Sequence, residues 1–452
     1  MRRLALATLA LLAACVTPAP QRPAPRPQPG APKAAPAPKP APAPAPAPAP
    51  ALAPAPVPAA APAPRTMLEG LAAGLPPAVR ATLAREAEPI APRPFRTPLG
   101  IEGVAPSRTA PQVTAGDGFD TIGADIGATQ PLSCFVYADR IDPASSYDGL
   151  LRSIVEASGI EVVGAEVADV AVVKGSPLVL FNVAYTVKQN GQPAAGLLKI
   201  AILPHELHSL ACLHDELGFV ATFRRAAIAV AAGLRRPGER NPRDAARYAE
   251  LHVARIQGRP AGFQEQWVTV EPGGRRTMVS VSTHVFNRSA TDLLGSDSRD
   301  VTSAAADGSL LSRTSVDVEG GEISEQLVLE REGATLAYAY SGTMSGKKLE
   351  GRFEAAQPVA TELLVAKRLA RRGKRVPAAE ARLLEWIPSI DPRRATEVVY
   401  RSDPKRPGAV EANLGTLHVK GKVDPSGWLE RSEFDLGPFT LVLERVWSKG
   451  TP

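Results

Sequence analysis

The chain has 452 residues, 52 of them basic and 46 acidic, for a formal charge of +6. Arg2, Arg3, Arg22, Arg26, Lys33, Lys39 and Arg65 outweigh that excess, with no acid among the first 65 residues, so the remainder carries about −1. A near-neutral body argues against nucleic-acid binding through a broad cationic surface, and about 387 residues suffice for two or three domains with their own cores.

The chain opens with a basic pair, Arg2-Arg3, and an apolar run from Leu4 to Leu12 that is too short to span a bilayer. Small residues then lead to Cys15. This is the layout of a signal peptide. Leu12-Ala13-Ala14-Cys15 resembles the lipobox of bacterial lipoproteins. The resemblance implies cleavage before Cys15, diacylation of its thiol and a third acyl chain on the new amino terminus. Each buried CH₂ adds ~0.8 kcal/mol, so three chains anchor the protein to the membrane permanently. Val16 follows where an Asp would retain the protein in the inner membrane, and the resemblance then implies the outer membrane, with the body facing the periplasm or the surface.

Residues 16–65 are a Pro/Ala-rich tether. Proline fixes φ and removes a donor, which favours an extended polyproline II path over helix or sheet. At ~3.1 Å per residue the tract reaches on the order of 150 Å. It reads as a disordered spacer across or into a cell-wall layer, or else as a docking segment for a polyproline reader.

A first domain is expected over 66–238. A helix is read from Pro76 to Arg85, then Pro-broken coil to Pro111 and a Gly-rich stretch to Gly127. An apolar strand follows at Leu132–Tyr137. Leu150, Leu151, Ile154 and Val155 give the next segment a helical stripe, which Gly159 ends. Strands are expected near 160–173, 177–188, 197–203 and 208–214, with Asn190-Gly191 as a hairpin turn. Phe219, Phe223, Ala227, Val230 and Leu234 fall at helical spacing. Antiparallel strands with helices on one side make an α+β sandwich. The order of elements, and His214-Asp215-Glu216-Leu217-Gly218 leading to Phe223, resembles the α/β sandwiches of the PsbP type, which implies an accessory or binding module.

Cys134 and Cys212 remain after processing. In an oxidising compartment the even pair suggests a disulfide, while two buried thiols are the other reading. His205, Glu206, His208, His214 and Asp215 have the composition of a metal or ligand site. However, strand rise places His208 and His214 ~20 Å apart, too far for one ion, and turn and strand-end roles are the competing reading.

Across 245–452 the period changes to two. Short strands with Gly-rich connectors indicate a large antiparallel meander, a half-barrel or sandwich. A helical insertion is expected near 360–384, with a shorter second helix after Pro377-Ala378. Gly258-Arg259-Pro260-Ala261-Gly262-Phe263 and the close from Gly421-Lys422-Val423-Asp424 to Gly427-Trp428-Leu429 resemble a β-rich region found beside transglutaminase-like cores. That resemblance implies an architecture without the activity, because no cysteine follows Cys212. Gly342 to Lys348 evokes a phosphate loop but has three residues between its glycines and Lys348 where Ser or Thr would bind Mg²⁺; a hairpin turn is expected. Lys367, Arg368, Arg371, Arg372, Lys374 and Arg375 form a basic run, a solvated helix end or a contact for wall polymer. Trp267, Trp386, Trp428 and Trp447 suit a sheet core or a sugar platform.

The fold class is therefore α+β, an antiparallel sandwich followed by a β-meander. The leading expectation for function is a non-catalytic envelope lipoprotein that binds another envelope protein or supports an assembly, with no cofactor. One alternative is a carrier for a small apolar ligand in a hollow lined from Val268, Val281, Leu327 and Leu441. The other is a cell-wall hydrolase using His214 with Asp215, or Glu397 with Glu411.

Overall fold

The structure is a computed structural model that describes residues 66–189, 192–370, 380–414, 417–437 and 439–451. The leader with Cys15, the Pro/Ala tract, the Asn190-Gly191 turn and Arg371, Arg372, Lys374 and Arg375 lie outside the described residues.

Two short helices open the body, α1 (Met67–Gly74) and α2 (Pro77–Leu83). Thr66 and Glu69 form a reciprocal capping box on α1. The stretch expected to be coil and Gly-rich loop instead holds a hairpin of β1 (Pro92–Arg96) and β2 (Glu102–Pro106), followed by β3 (Gln112–Ala115) and β4 (Phe119–Ala124). Proline is tolerated in β1 because this is an edge hairpin of only two strands.

A seven-stranded antiparallel sheet has the order β3-β4-β5-β9-β8-β7-β6, with β5 at Leu132–Tyr137, β6 at Glu161–Val173, β7 at Ser176–Gln189, β8 at Gln192–Leu203 and β9 at Ser209–Asp215. Its central strands are apolar on both faces, since both are covered. Phe181, Ile200, Ile202 and Leu213 belong to one core cluster, and Leu180, Ala201, Leu210 and Cys212 to another. The helices correspondingly lie on opposite faces, not on one side. Helix α4 (Val220–Gly233) packs Phe223, Ala227 and Val230 on the second cluster, while α3 (Pro143–Ser158) packs Ala144, Tyr147 and Leu150 on the first. Gly159, in the left-handed region at φ 62°, ends α3 and donates its N–H to the Val155 carbonyl. Cys134 and Cys212 sit directly opposite in the β5–β9 register, with Cα atoms 4.0 Å apart, and are joined as a disulfide.

The second sheet has fifteen strands. From Tyr248 the chain runs through β10 (Tyr248–Ile256), β11 (Arg259–Val270), β12 (Arg276–Asn287), β13 (Leu293–Ala304), β14 (Leu310–Glu319), β15 (Glu322–Arg331), β16 (Ala337–Met344) and β17 (Lys347–Glu354), which forms one edge. It then passes through the two-residue β18 (Val359–Ala360) and α5 (Glu362–Leu369) to the opposite edge. From there β19 (Glu380–Glu385), β20 (Thr396–Ser402), β21 (Ala409–Leu414), β22 (Leu417–Val423), β23 (Leu429–Asp435) and β24 (Thr440–Gly450) walk back until β24 pairs with β10. The edge strand β18 pairs parallel with β19 and makes a single bridge from Ala360 to Ser309, so the sheet curls toward itself without closing.

The structure differs from the sequence reading at two strands here. The second insertion helix is strand β19: Glu380–Glu385 pairs with Thr396–Ser402, and that pairing overrides the helix propensity of Glu-Ala-Arg-Leu-Leu-Glu. The other difference is β13, which lacks apolar alternation and for which no strand is expected from sequence. Its polar residues are used on both faces. Asp297 accepts from Ala144 N (3.2 Å), Ser145 N (2.9 Å) and Thr283 Oγ1 (2.7 Å), so a carboxylate from the second sheet caps a helix of the first. The regions also share one core, in which Leu251, Val253, Phe263 and Val285 join Phe181 and Ile200.

Candidate functional site

The histidine-rich cluster separates into two places. His205 and His208 stack with ring centroids 4.2 Å apart, and His205 Nε2 lies 2.8 Å from Asn241 Nδ2. Beside them Glu206 bridges Arg140 (3.0 Å) and Arg299 (3.0 Å), an ion-pair network between the two sheets. Burial pulls the Glu206 carboxyl upward, but the hydrogen bonds and charges of Arg299 and Arg140 win and hold it below its ordinary range. On β9, His214 bonds the Gln130 carbonyl at 3.2 Å and packs on Phe219 and Phe223. Asp215 instead accepts from Tyr185 Oη at 2.6 Å. Behind His214, the fully buried Lys199 donates to the carbonyls of Glu216 and Gly218 and so pins the turn into α4. Among the described residues no three His, Cys, Asp or Glu side chains are grouped to hold a metal ion.

These buried imidazoles impose a pH dependence. Burial depresses His205 to about 4, and His208 and His214 to about 3 each, with the Arg243, His205 and Lys199 charges adding respectively. Unfolded histidines take up protons near pH 6.5. Below that pH the unfolded chain binds more protons than the folded one, so stability falls as the pH drops from 6.5 toward 4. Each well-buried histidine contributes about 2 kcal/mol to that loss at pH 5. Glu385, raised to about 7, and Asp148, raised to about 6, both by burial, act in the opposite direction over the same range, but four buried imidazoles outweigh them, because burial also depresses His284 to about 4. The urea midpoint is therefore expected to drop between pH 7 and pH 5, and the slope to flatten in His214→Gln.

A concavity lies on the inner face of the fifteen-stranded sheet. Cross-strand register aligns polar residues there in two adjacent rows. One is His252, Gln264, Ser282, Ser298, Asp317 and Glu325, and the other is Glu250, Gln266, Ser280, Asp300 and Ser315. Helix α5 lies against this face. Leu363 and Ala366 pack with Tyr248, Val268, Met278 and Trp428, while Leu369 meets Val410 and Val423. Gly427 brings the β22–β23 turn so close that an added Cβ would stand 1.9 Å from the Ala366 carbonyl oxygen, so no other residue fits beneath the helix.

The helix leaves two adjoining hollows. One, of 190 Å³, is walled mainly by Val365, Leu369, Val410, Ala412, Val419, Trp428, Phe434 and Leu443. The other, of 350 Å³, is lined by Asp300, Asp317, Glu325, Glu362 and Glu385, and Arg313 is the one cation among its lining residues. Glu362, Glu385, Tyr400 and Leu414 border both. Arg313 pairs with Asp300 at 3.0 Å, and Tyr400 Oη donates to Glu385 at 2.6 Å. Burial, reinforced by Glu362, pushes the Glu385 carboxyl up to about 7. Burial and a neighbouring carboxylate also raise Asp317 and Glu325. This compartment favours a neutral hydroxyl-bearing or cationic group over an anion.

The residues named from sequence for such a hollow do not line it. Val268 packs on α5, Val281 lies with Trp267, and Leu327 lies with Leu329 and Tyr338; Leu441 also borders neither hollow. Glu397 and Glu411 are exposed on strands whose alternate residues Val398, Val410 and Ala412 are buried, so they point away from the hollows. Trp386 and Trp428 are buried but border the polar and apolar hollows respectively. Ser345 (φ 50°) and Gly346 (φ 71°) form a tight turn between β16 and β17 where the phosphate-loop-like stretch falls. Glu362, Glu385, Tyr400 and Arg313 were not singled out from sequence; Arg313, Glu385 and Tyr400 are polar residues at inward positions of otherwise ordinary strands, and Glu362 opens α5.

No protein family and no curated protein is matched by the chain. Among solved structures it is similar to a beta-barrel-like protein of domain of unknown function DUF1849 from Brucella abortus. The TM-score is 0.34 at 11% identity over 45% of this chain and 97% of that one. A DUF1089 family protein from Pseudomonas aeruginosa gives a TM-score of 0.23 at 18% identity over 37% and 87%.

Proposed function

We propose that the chain is a non-catalytic lipoprotein of the outer membrane whose second region binds a small amphiphile. The membrane is its partner through the lipid on Cys15, and a further envelope protein is the destination or source of the ligand. The observation that supports this reading is the apolar hollow beside α5, which adjoins a carboxylate-rich one at the shared lining residues Glu362, Glu385, Tyr400 and Leu414. Together they match the form of small-ligand sites, apolar walls with a few convergent polar groups. The apolar end of the ligand lies against Trp428 and Leu443, and its polar end meets Glu362 and Glu385.

The test uses the neutral probe N-phenyl-1-naphthylamine with the purified full chain. Its emission is expected to rise on binding, and decylamine is expected to displace it about tenfold more effectively than decanoate, a difference of about 1.4 kcal/mol. Ala412→Phe, which fills the apolar hollow, should abolish the rise while leaving the unfolding free energy within about 1.5 kcal/mol of the parent. Unchanged emission in the parent chain, or undiminished binding in a folded Ala412→Phe variant, refutes the reading.

A further inference from the structure

We propose that β17 is a homotypic docking strand, pairing antiparallel with β17 of a second copy of this chain about a two-fold axis at Gly351. β17 is an edge of the fifteen-stranded sheet, eight residues long, and among the described residues no strand pairs with its outer side. Its ladder to β16 runs without a register shift from Met344–Lys347 to Ala337–Glu354. An edge of this kind presents unpaired backbone donors and acceptors, and proteins ordinarily blunt it with charges that repel a neighbouring edge.

Here the charges are arranged to accept one neighbour. With Gly351 opposite Gly351 of the second copy, Glu350 faces Arg352, Leu349 faces Phe353 and Lys348 faces Glu354, and every pair occurs twice by symmetry. All charged pairs are opposite in sign, and they lie on the exposed face. The apolar pairs extend the face that carries Tyr338 and Tyr340. A slip of two residues either way sets Lys348 against Arg352 or Glu350 against Glu354. A slip of one sets the charged face against the apolar one. In the sequence Lys-Leu-Glu-Gly-Arg-Phe-Glu this register alone gives all four charged side chains a partner of opposite sign, and larger slips leave half of them without one.

Within its own sheet β17 has no such complement: Lys348, Glu350 and Arg352 stand across from Thr343, Ser341 and Ala339. The contacts these side chains do make, Lys348 to Glu350 at 3.1 Å and Arg352 to Glu332 at 2.7 Å, are between exposed groups and are readily exchanged.

Sedimentation velocity of the full chain over a concentration series tests the proposal. The parent chain is expected to show a reversible monomer–dimer equilibrium. Glu350→Arg, which places arginine opposite arginine twice, should weaken the dimer about tenfold or more. The swap Glu350→Arg with Arg352→Glu should restore it, and Lys348→Glu with Glu354→Lys should preserve it in the same way. Far-UV circular dichroism confirms that each variant is folded. A parent chain that stays monomeric at every concentration overturns the proposal, as does a folded Glu350→Arg that dimerises like the parent. Both swaps failing to dimerise while folded would also overturn it.

Discussion

Glu265→Ala is expected to lower the unfolding free energy by about 3–5 kcal/mol, a third or more of what a typical domain has. Glu265 is 3% exposed and holds two arginines at once, Arg140 at 3.2 Å and Arg243 at 3.1 Å. Arg243 is itself buried. It also donates to Ser176 Oγ at 3.0 Å and to the Gly175 carbonyl, and its guanidinium lies 4.7 Å from the centre of the Trp447 ring. Burial pulls the Arg243 pKa down, and the Glu265 charge opposes that pull. Alanine removes the opposing charge from two guanidiniums that cannot shed their protons, so the desolvation penalty of both is left uncompensated. Arg299→Ala is the contrasting case. That side chain is 40% exposed, and the change is expected to cost under about 1 kcal/mol. The double variant Glu265→Leu with Arg243→Met should recover most of the loss, because a well-packed apolar pair replaces a buried ionic one at little net cost. Urea unfolding with the slope held constant reads all of these. A Glu265→Ala unfolding free energy within about 1 kcal/mol of the parent would show that the network is not a structural tie between the sheets.

What sequence could reveal follows the source of order in each element. The seven-stranded sheet was legible in β5 to β9 because Leu178–Phe181 and Leu197–Leu203 are apolar runs bounded by turn residues, and α3 and α4 because their stripes and Gly159 announce them. The β-meander was legible for the same reason, through alternation and connectors such as Ser345-Gly346. Strand β13 was not, since Ser296, Ser298 and Asp300 face a polar concavity while Asp297 and Arg299 serve the other sheet. No apolar period exists when both faces are polar. The hollows were hidden for a related reason. Their walls are joined by register between strands far apart in the chain, and their position depends on where α5 comes to rest. The position of α3 on the face opposite α4 likewise involves the second sheet, whose Asp297 caps it, a contact that no local pattern encodes.

Breaking the Cys134–Cys212 bond is expected to cost about 4 kcal/mol, by the chain-entropy argument for a loop of 78 residues. The bond joins β5 to β9, and that pairing unites the β3–β5 side of the sheet with the β6–β9 side after an excursion through all of α3, β6, β7 and β8. Without the cross-link, closing that excursion must come from burial in the core that Cys134 and Cys212 share with Ile122, Leu210 and Phe223. The reduced chain should therefore show a lower urea midpoint and a steeper denaturant slope, because its unfolded state is more expanded. It should also refold more slowly, since β5–β9 is a long-range pairing. Cys134→Ala with Cys212→Ala should match the reduced parent to within about 1–2 kcal/mol, the allowance for altered packing at two buried sites. Equal midpoints with and without reductant, both thiols reacting with iodoacetamide only in the reduced sample, would sink the entropic account. Two thiols that react in the native, unreduced chain would sink the bond itself. A loss of this size is comparable with the whole stability of a marginal domain, so the fold is expected to reach full stability only where disulfides persist, which is the compartment the lipobox-like leader implies.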